Sequence, residues 1–462
     1  MSARKSHLVS FLILICVVCL QTVSRAQSPT VSDAASGTAQ RSEVLTLKQA
    51  IALALNDNRQ IKNAAIEVFK FEDRLAAART QRLPEFKVSA LGSQLLSSID
   101  FKFERGVFGN YPGLGPIPNA DTTISTPRRP TFLLAGQINQ PLSQLYRIGL
   151  NLKQIGVGRE IAEQQARAQR QAVINNVKRA YYAILQTESG LRASEEAVRL
   201  YRELDRVTGD YVVQQVALKS EGLEVKTRLA KSEYEATTLR DQLASQKEQL
   251  NQLLGRDVHT EFSVSPTPAL SHFEVDLAAA RERAMVERPE IAEARLKIKQ
   301  ADYDRRIKKS EYIPDVSLSF TYVSPQNVNF APRQIASAGI SLSWEPFDWG
   351  RKKRELAEKK RNIEQANTGL LEAESQALVE VNSKFRKLQQ TRQLLAIGRL
   401  AEETAREQLR VMSNRYTAQA ALLKDVLSAQ TSLADANYQY QQAMLAFWAA
   451  RADFEKAIGG EL

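Results

Sequence analysis

Few side chains in this sequence are suited to catalysis or to metal binding. The 462-residue chain has only two cysteines, Cys16 and Cys19, and three histidines. Two cysteines this close to the N-terminus argue against a disulfide framework and against a cysteine-based zinc site. His259 and His272 have no companion ligands at suitable spacing, and no nucleophile, phosphate loop or acid–base pair stands out. The sequence therefore predicts no enzyme activity, no metal and no cofactor.

Composition and charge narrow the class of protein further. Hydrophobic residues make up 43% and charged residues 25% of the chain, and the formal net charge is +11. These values exclude a disordered tail and a conventional multi-span transporter. The basic residues alternate with glutamates, as in 351–364, which is typical of a solvated helix face. We therefore expect no nucleic-acid partner.

Residues 1–26 are typical of a secretion signal peptide. Arg4 and Lys5 precede an apolar run at 8–20, and Ser24, Arg25 and Ala26 form a small-x-small cleavage site. The apolar run is about 13 residues long, whereas a membrane-spanning helix needs about 20. The alternatives are a retained anchor and a lipoprotein, and the second lacks the small residue that should precede its cysteine. We expect an exported chain with a flexible segment at 27–44.

Proline-free stretches indicate long helices. The fifteen prolines leave 142–265 and 347–462 without any proline, and both stretches are rich in strong helix formers. Val173, Val177, Ile184 and Leu191 follow a coiled-coil rhythm. The predicted long helices are 149–211, 223–254, 350–416 and 422–458. The first would be about 95 Å long at about 1.5 Å per residue.

Alternation of apolar and small polar residues marks strands between these helices. Residues 316–322 (Val-Ser-Leu-Ser-Phe-Thr-Tyr) and 338–344 (Ala-Gly-Ile-Ser-Leu-Ser-Trp) have the period of a strand with one apolar and one wet face. We predict strands at 86–96, 131–141, 315–324 and 335–346, with turn-rich loops at 106–130 and 324–334. Aromatics near strand ends suit a membrane interface, although core packing would also hold them: Tyr322, Trp344, Phe347 and Trp349.

The chain contains one unit twice. One constant spacing relates Leu47, Ala50, Ala54, Ile61 and Pro84 to Leu277, Ala280, Ala284, Ile291 and Pro314. A second constant spacing relates Val177, Leu191, Tyr234 and Gly255 to Val381, Leu395, Tyr438 and Gly459. The predicted organisation is a first repeat at 45–255, a linker at 256–275 and a second repeat at 276–462. Each repeat contains a helix, two strands around a loop, a long helix and a return helix.

Four strands are too few for one chain to close a membrane barrel. The smallest barrels have about eight strands, and lipid does not tolerate an open sheet edge. Two chains would give eight strands around a filled interior, whereas three would give twelve strands around a lumen. Small polar residues on the inner face favour the lumen: Ser317, Ser319, Ser341 and Ser343. We therefore expect a homotrimer in membrane lipid, with the long helices projecting as a tube.

The sequence resembles the TolC family of outer-membrane efflux proteins over 45–459. The resemblance rests on Leu47-x-x-Ala50-x-x-x-Ala54-Leu55-x-x-Asn58, on Glu345-Pro346-Phe347-Asp348-Trp349-Gly350, and on Arg415-Tyr416 followed by Asp425-Val426-Leu427-Ser428-Ala429-Gln430. It implies a mainly α protein with a β-barrel portion, built from a duplicated helix-strand-strand-helix protomer. In the implied trimer, a twelve-stranded outer-membrane β-barrel is continuous with a periplasmic α-helical barrel.

The resemblance also implies a function and partners. The chain would be the exit duct of a tripartite efflux pump or a type I secretion system, passing small molecules or proteins to the exterior. Its partners would be a periplasmic adaptor (membrane fusion) protein and an inner-membrane pump or ABC exporter. A periplasmic coiled-coil adaptor or scaffold is the alternative, but it leaves the duplication and the serine-alternating strands unexplained.

Candidate functional residues lie at the two inner tips. Asp425 matches the first gate aspartate of the family, Ser428 stands at the second gate position, and Glu224 is taken as the first-repeat equivalent of Asp425. Three copies of Asp425 around a narrow pore would attract cations, but Asp425 and Glu224 could instead simply favour the positive start of a helix. Candidate adaptor contacts, which could also be solvated turn residues, are Val216, Ala217, Arg415, Tyr416, Ala420 and Ala421.

Overall fold

The computed structural model describes residues 43–94, 96–98, 100–125, 128, 130–215, 218–266, 276–327, 332–418, 420–421 and 423–460. The predicted signal peptide at 1–26 lies outside these ranges, as do residues 27–42 of the predicted flexible segment and residues 267–275 of the predicted linker.

Two short helices open each repeat, with the same lengths in both. They are α1 (Leu47–Asp57) and α5 (Leu277–Glu287), of 11 residues each, and α2 (Arg59–Thr80) and α6 (Pro289–Ser310), of 22 residues each. Side-chain caps set the starts of three of them, since Thr46 caps α1, Asn58 caps α2 and Asp276 caps α5. The fourth, α6, begins with a proline, whose missing N–H costs nothing at a first helical position.

Four longer helices follow in two pairs. The pairs are α3 (Gln144–Val213) with α4 (Lys219–Leu254), and α7 (Arg351–Thr417) with α8 (Leu423–Ala457). With 70 residues in α3 and 67 in α7, each of these two is about 100 Å long at about 1.5 Å per residue. Among the described residues, no helix combines the length and the apolarity needed to cross a membrane.

Four strands form one antiparallel sheet that joins the two repeats. The strands are β2 (Glu85–Gln94), β7 (Pro130–Pro141), β9 (Asp315–Gln326) and β10 (Ile335–Ser343), in the order β10–β9–β7–β2. The hairpin of the first repeat meets that of the second through β7 and β9, where Gln137 lies opposite Thr321. The strand β10 ends at Ser343, short of the predicted 346.

Smaller strands lie outside this sheet. β1 (Glu43–Leu45) pairs with β8 (Phe262–Val264), which falls within the predicted linker. In the loop between β2 and β7, β3 (Asp100–Phe103) pairs with β6 (Thr122–Ser125), and β4 (Asn110–Tyr111) pairs with β5 (Gly115–Pro116). The sequence predicts only turn chemistry in this loop, because strands of two to four residues are too short to show an alternation.

The hydrophobic core lies where the short helices cross the long ones. In the first repeat, α1, β1 and β8 pack on α3 and α4, and they bury Leu45, Ala54, Val177, Tyr181 and Leu250. In the second repeat, α5 packs on α7 and α8 around Ala284, Val381 and Phe454. In both repeats, burial of apolar side chains therefore stabilises the region where the short helices cross the long ones.

One glycine in each repeat allows two backbone segments to approach closely in this region. Gly255 follows α4 with φ of 75°, and Gly459 follows α8 with φ of 81°. A Cβ atom on Gly255 would lie 2.2 Å from the carbonyl oxygen of Asp57, and one on Gly459 would lie 2.9 Å from the carbonyl carbon of Glu287. Both positions thus combine a left-handed backbone with a close backbone neighbour, and only glycine fits them.

Candidate functional site

The four-stranded sheet has one polar and one apolar face. On the polar face, Ser317 lies opposite Ser341 with the two Oγ atoms 2.6 Å apart. On the other face, Leu318 lies opposite Ile340, and Ile340 is 73% exposed. An apolar face this exposed in the single chain suits contact with lipid.

The four predicted interface aromatics lie at two levels of the sheet. Tyr322 lies on β9 opposite Ala336, near the end that leads into the loop. Trp344, Phe347 and Trp349 follow β10 at the opposite end, next to the helices. The two levels are about 25 Å apart along the strands at about 3.3 Å per residue, which is close to the apolar band of about 25 Å between the aromatic girdles of a membrane barrel. Trp349 is 91% exposed, so core packing does not hold it in the single chain.

A sharp turn connects the sheet to α7. The Asp348 carboxylate accepts the backbone N–H groups of Lys352 at 2.8 Å and of Gly350 at 3.0 Å. The hydrogen bond from Lys352 is the main reason why the pKa of Asp348 lies below its usual range. Trp349 and Gly350 have φ of 56° and 85°. The Asp-Trp-Gly run therefore forms a capped turn that fixes where the long helix starts.

Two ion pairs lie near the base of the sheet, one between the two repeats and one within the second repeat. Arg147 of α3 donates to both carboxylate oxygens of Asp315 at 3.0 Å. Lys308 of α6 lies 2.7 Å from Glu355 of α7. The first contact ties the base of β9 to α3, and the second holds α6 against α7.

The first tip is formed by the end of α3 and the start of α4. The Glu221 carboxylate accepts the backbone N–H of Leu218 at 3.1 Å, which caps the start of α4. Glu224 is exposed and lies 2.7 Å from Arg228 of the same helix. Of the predicted contact residues here, Val216 and Ala217 lie outside the described residues.

The second tip is formed by the end of α7 and the start of α8. Arg415 and Tyr416 lie in the last turn of α7, and the backbone N–H of Ala420 donates to the carbonyl oxygen of Arg415 at 2.8 Å. Ala420 is exposed and Ala421 is half-buried. The small residues of this tip are therefore accessible in the single chain.

Helix starts show that the pairing of Asp425 with Glu224 is wrong. Asp425 lies in the first turn of α8, and the acidic residue in the first turn of α4 is Glu221. Glu224 corresponds instead to Ser428, one turn further along. The error arose because the sequence placed the start of α4 at 223, whereas Glu221 caps a helix that begins at Lys219. The spacing that relates Tyr234 to Tyr438 also relates Glu221 to Asp425, so the signal was available.

Among the described residues, no cluster of three or more His, Cys, Asp or Glu side chains could hold a metal ion. The polar groups of the sheet lie along one face, where Ser317 meets Ser341. This arrangement fits a surface that lines a passage or meets another chain.

Comparison with known families decides the identity. The model of the family described as outer membrane efflux protein matches residues 50–256 and 280–460. The chain belongs to the outer membrane efflux protein family. The two matched ranges follow the two repeats, and the unmatched stretch between them overlaps the predicted linker.

Relatives and solved structures agree with this assignment. The chain is 22% identical to the outer membrane protein TolC of Salmonella enteritidis over 449 residues, which cover 92% of this chain and 84% of the relative. Its fold is similar to the CmeC outer membrane channel of Campylobacter jejuni, with a TM-score of 0.72 and 17% identity over 90% of this chain and 85% of that chain. It is equally similar to a membrane protein from Pseudomonas aeruginosa, with a TM-score of 0.72 and 17% identity over 95% of this chain and 96% of that chain.

The expected fold class and family are thus confirmed. The chain has the fold of the outer membrane efflux channels, in which a β-barrel portion continues into an α-helical barrel. It is an outer-membrane exit channel for efflux. The family is one of channels.

Proposed function

We propose that three copies of this outer membrane efflux protein form a continuous duct. The duct would pass small molecules or proteins from an inner-membrane transporter to the exterior. The supporting observation is the four-stranded sheet, which has two open edges and an exposed apolar face. Because lipid requires a closed barrel, strands must come from more than one chain. Three chains supply twelve strands and leave a lumen lined by the serine face.

The long helices would form the periplasmic portion of the duct. α3 and α7 each extend about 100 Å from the sheet at about 1.5 Å per residue, and α4 and α8 return along them. The open face of the helices in one chain would be covered by its neighbours in the trimer. The passage would then run from the tips to the outer surface.

The tips would hold the gate. Each tip starts its return helix with a first-turn carboxylate, Glu221 or Asp425, and threefold symmetry would place three copies of each around the axis. Like charges around a narrow opening attract cations and disfavour anions. Glu221 also accepts the N–H of Leu218, so helix capping accounts for part of its role. We assign the gate primarily to Asp425, because it matches the first gate aspartate of the family, and Ser428 lies one turn behind it.

The tips would also meet the partners. Small residues at a hairpin end let another helix approach closely, and we assign adaptor contact to Val216, Ala217, Ala420 and Ala421, flanked by Arg415 and Tyr416. The adaptor would link the duct to an inner-membrane pump or ABC exporter. An Ala420→Trp variant should recover less adaptor on co-purification while its bilayer conductance stays unchanged. Equal recovery of the adaptor would contradict this assignment.

Fractionation combined with bilayer recording tests the duct. We expect the protein in the outer-membrane fraction, extractable only with detergent, and we expect the extracted particle to form discrete conducting steps in a planar bilayer. A monomer in the soluble periplasmic fraction that forms no conducting steps would support the adaptor or scaffold alternative and would overturn the duct.

Removal of the tip charge tests the gate. Asp425→Asn keeps the size of the side chain and removes its charge, so we expect block by a trivalent cation to weaken several-fold. Glu224→Gln is the matched control, because Glu224 is paired with Arg228 and lies one turn further from the helix start. The gate assignment fails if block and conductance are unchanged in Asp425→Asn, or if Glu224→Gln has the same effect.

A further inference from the structure

The two edge strands of the sheet, β2 and β10, each have one unpaired side. β2 and β10 are hydrogen-bonded to a neighbouring strand on one side only. The apolar face reaches both edges, through Phe86 and Val88 on β2 and through Ile340 and Leu342 on β10, and all four side chains are largely exposed. Both edges therefore need a partner strand in lipid.

The two hairpins of the chain have the same internal register. In the first, Glu85 of β2 lies opposite Asn139 of β7. In the second, Asp315 of β9 lies opposite Ser343 of β10. Glu85 is thus the counterpart of Asp315, and Asn139 is the counterpart of Ser343. This equivalence continues along both hairpins and makes Ser319 the counterpart of Ser89.

The junction between the hairpins then serves as a template for the junction between chains. Inside the chain, β7 meets β9 with Asn139 opposite Ser319 and Pro141 opposite Ser317. If each residue is replaced by its counterpart in the other repeat, β10 meets β2 of a second copy. Asn139 becomes Ser343, Ser319 becomes Ser89, Pro141 becomes Glu345, and Ser317 becomes Lys87.

We propose that β10 of one protomer pairs with β2 of its neighbour in this register, with Ser343 opposite Ser89 and Glu345 opposite Lys87. This inference rests on the proposed trimer and specifies which residues close its barrel. Both strands then continue the alternating antiparallel order of the sheet, and no edge remains open.

The side chains on both faces agree with this register. On the polar face, Ser343 meets Ser89. On the apolar face, Leu342 meets Ala90, Ile340 meets Gly92 and Trp344 meets Val88, so every one of these pairs is apolar. A shift by one residue would bring the apolar face of one strand against the polar face of the other.

Charge distinguishes this register from the registers that are shifted by two residues in either direction. A shift by two residues in one direction would place Glu345 opposite Glu85, and a shift in the other would place it opposite Ser89. Opposite charges that face each other across strands stabilise the pairing, and like charges oppose it. Only the proposed register puts Glu345 opposite Lys87. In the single chain, Lys87 lies 3.0 Å from Glu85, and Glu345 lies 2.7 Å from Arg351. The interface would join these two exposed pairs into one network.

The same template explains the early end of β10. β7 continues to Pro141 because it is paired on both sides. Its counterpart β10 stops at Ser343, two residues before the equivalent position Glu345. Pairing with β2 of the neighbour should extend β10 to Glu345.

Paired cysteines test the register in the assembled protein. The native cysteines, Cys16 and Cys19, both lie in the predicted signal peptide, so the engineered pair supplies the reactive thiols. Ser89→Cys combined with Ser343→Cys should give covalent dimers and trimers with a thiol crosslinker of about 5 Å reach, the Cβ separation of directly opposite residues. The two single variants and the unsubstituted chain should give none.

Same-face pairs in shifted registers are the matched controls. Lys87→Cys with Ser343→Cys is displaced by two residues, and Ser93→Cys with Ser343→Cys by four, or about 13 Å at about 3.3 Å per residue. Both should crosslink several-fold less than the Ser89 pair. The mass of each uncrosslinked particle in detergent is measured in parallel. A trimeric particle in which a control pair crosslinks best overturns the register and leaves the duct standing, whereas a monomeric particle overturns both.

Discussion

The two repeats of the chain are alike in their short helices and shared glycines, and they differ in the loops between their strands. The short helices have equal lengths in both repeats. Gly255 and Gly459 both follow the return helix of their repeat with a positive φ. The loops differ, since the first repeat carries two small ribbons between its strands and the second has a short connection. The two repeats are thus alike where backbones approach each other and differ in the loops between their strands.

The seam between α3 and α8 shows a second difference. Inside the chain, Lys178 of α3 lies 2.9 Å from Glu455 of α8, and both are largely buried. Their counterparts in the other repeat are Asn382 of α7 and Asn251 of α4, which carry no charge and are bonded within the chain, Asn382 to Arg281 and Asn251 to the carbonyl oxygens of Val258 and Thr260. A pair of α3 and α4 from different chains would leave Lys178 without Glu455, and an unpaired buried charge is costly. This ion pair therefore fits α3 to α8 specifically.

The largest expected effect concerns the shared glycines. Gly255→Ala should destabilise the protein by at least about 3 kcal/mol, because the new Cβ overlaps the backbone of the α1–α2 junction. Gly459→Ala should act in the same direction but less strongly, since its nearest atom is further away. Thermal unfolding of the detergent-extracted protein measures both.

Gly113→Ala is the control for these variants. Gly113 also has a positive φ, of 85°, but a Cβ there would meet nothing within 4 Å, so only about 1–2 kcal/mol of backbone strain is expected. If Gly255→Ala were no worse than Gly113→Ala, close approach would not be the reason for the repeated glycine.

An intermediate effect is expected at the charged seam. Asp453 of α8 accepts a hydrogen bond from Asn175 at 3.0 Å and lies 2.9 Å from Lys384. Burial raises the pKa of Asp453, but Lys384 and Asn175 outweigh it and bring the pKa below its usual value. A lowered pKa means that Asp453 contributes its stability above about pH 4 and loses it as the pH falls through the folded-state pKa.

Asp453→Asn should therefore lower stability at pH 7 by roughly 1–3 kcal/mol and flatten its decline in acid. Unfolding midpoints between pH 3 and pH 7 provide the measurement. Asp241→Asn, at an exposed carboxylate, should change stability by less than about 0.5 kcal/mol. An unchanged acid profile in Asp453→Asn would show that the seam does not depend on this charge.

The smallest effect is expected at two matching surface pairs. Glu203 lies 2.6 Å from Arg206 in the first repeat, and Glu407 lies 2.6 Å from Arg410 in the second. The arginine hydrogen bond lowers the pKa of each glutamate, but the pairs are exposed and screened. Arg206→Ala and Arg410→Ala should both leave the unfolding midpoint unchanged. A clear loss in only one of them would identify a repeat-specific role for that pair.

The sequence predicted the parts of the fold that depend on periodicity and duplication. The serine alternation at 316–322 located β9, and the absence of proline located α3 and α7. Local hydrogen bonds were harder to foresee. The cap by Glu221 moves the start of α4 to Lys219, and the ribbon β4–β5 depends on turns, so neither leaves a periodic pattern. The spacing between the repeats did relate Glu221 to Asp425 and Glu224 to Ser428, so the misassignment of Glu224 was avoidable from the sequence.

The number of chains in the particle extracted from the outer membrane tests the proposed channel most directly. We predict three chains per particle, measured by its mass in detergent after subtraction of the bound detergent. A monomer would leave β2 and β10 open in lipid, and a dimer would give eight strands with a filled interior. Either result would contradict the proposal that neighbouring chains complete the barrel and its lumen.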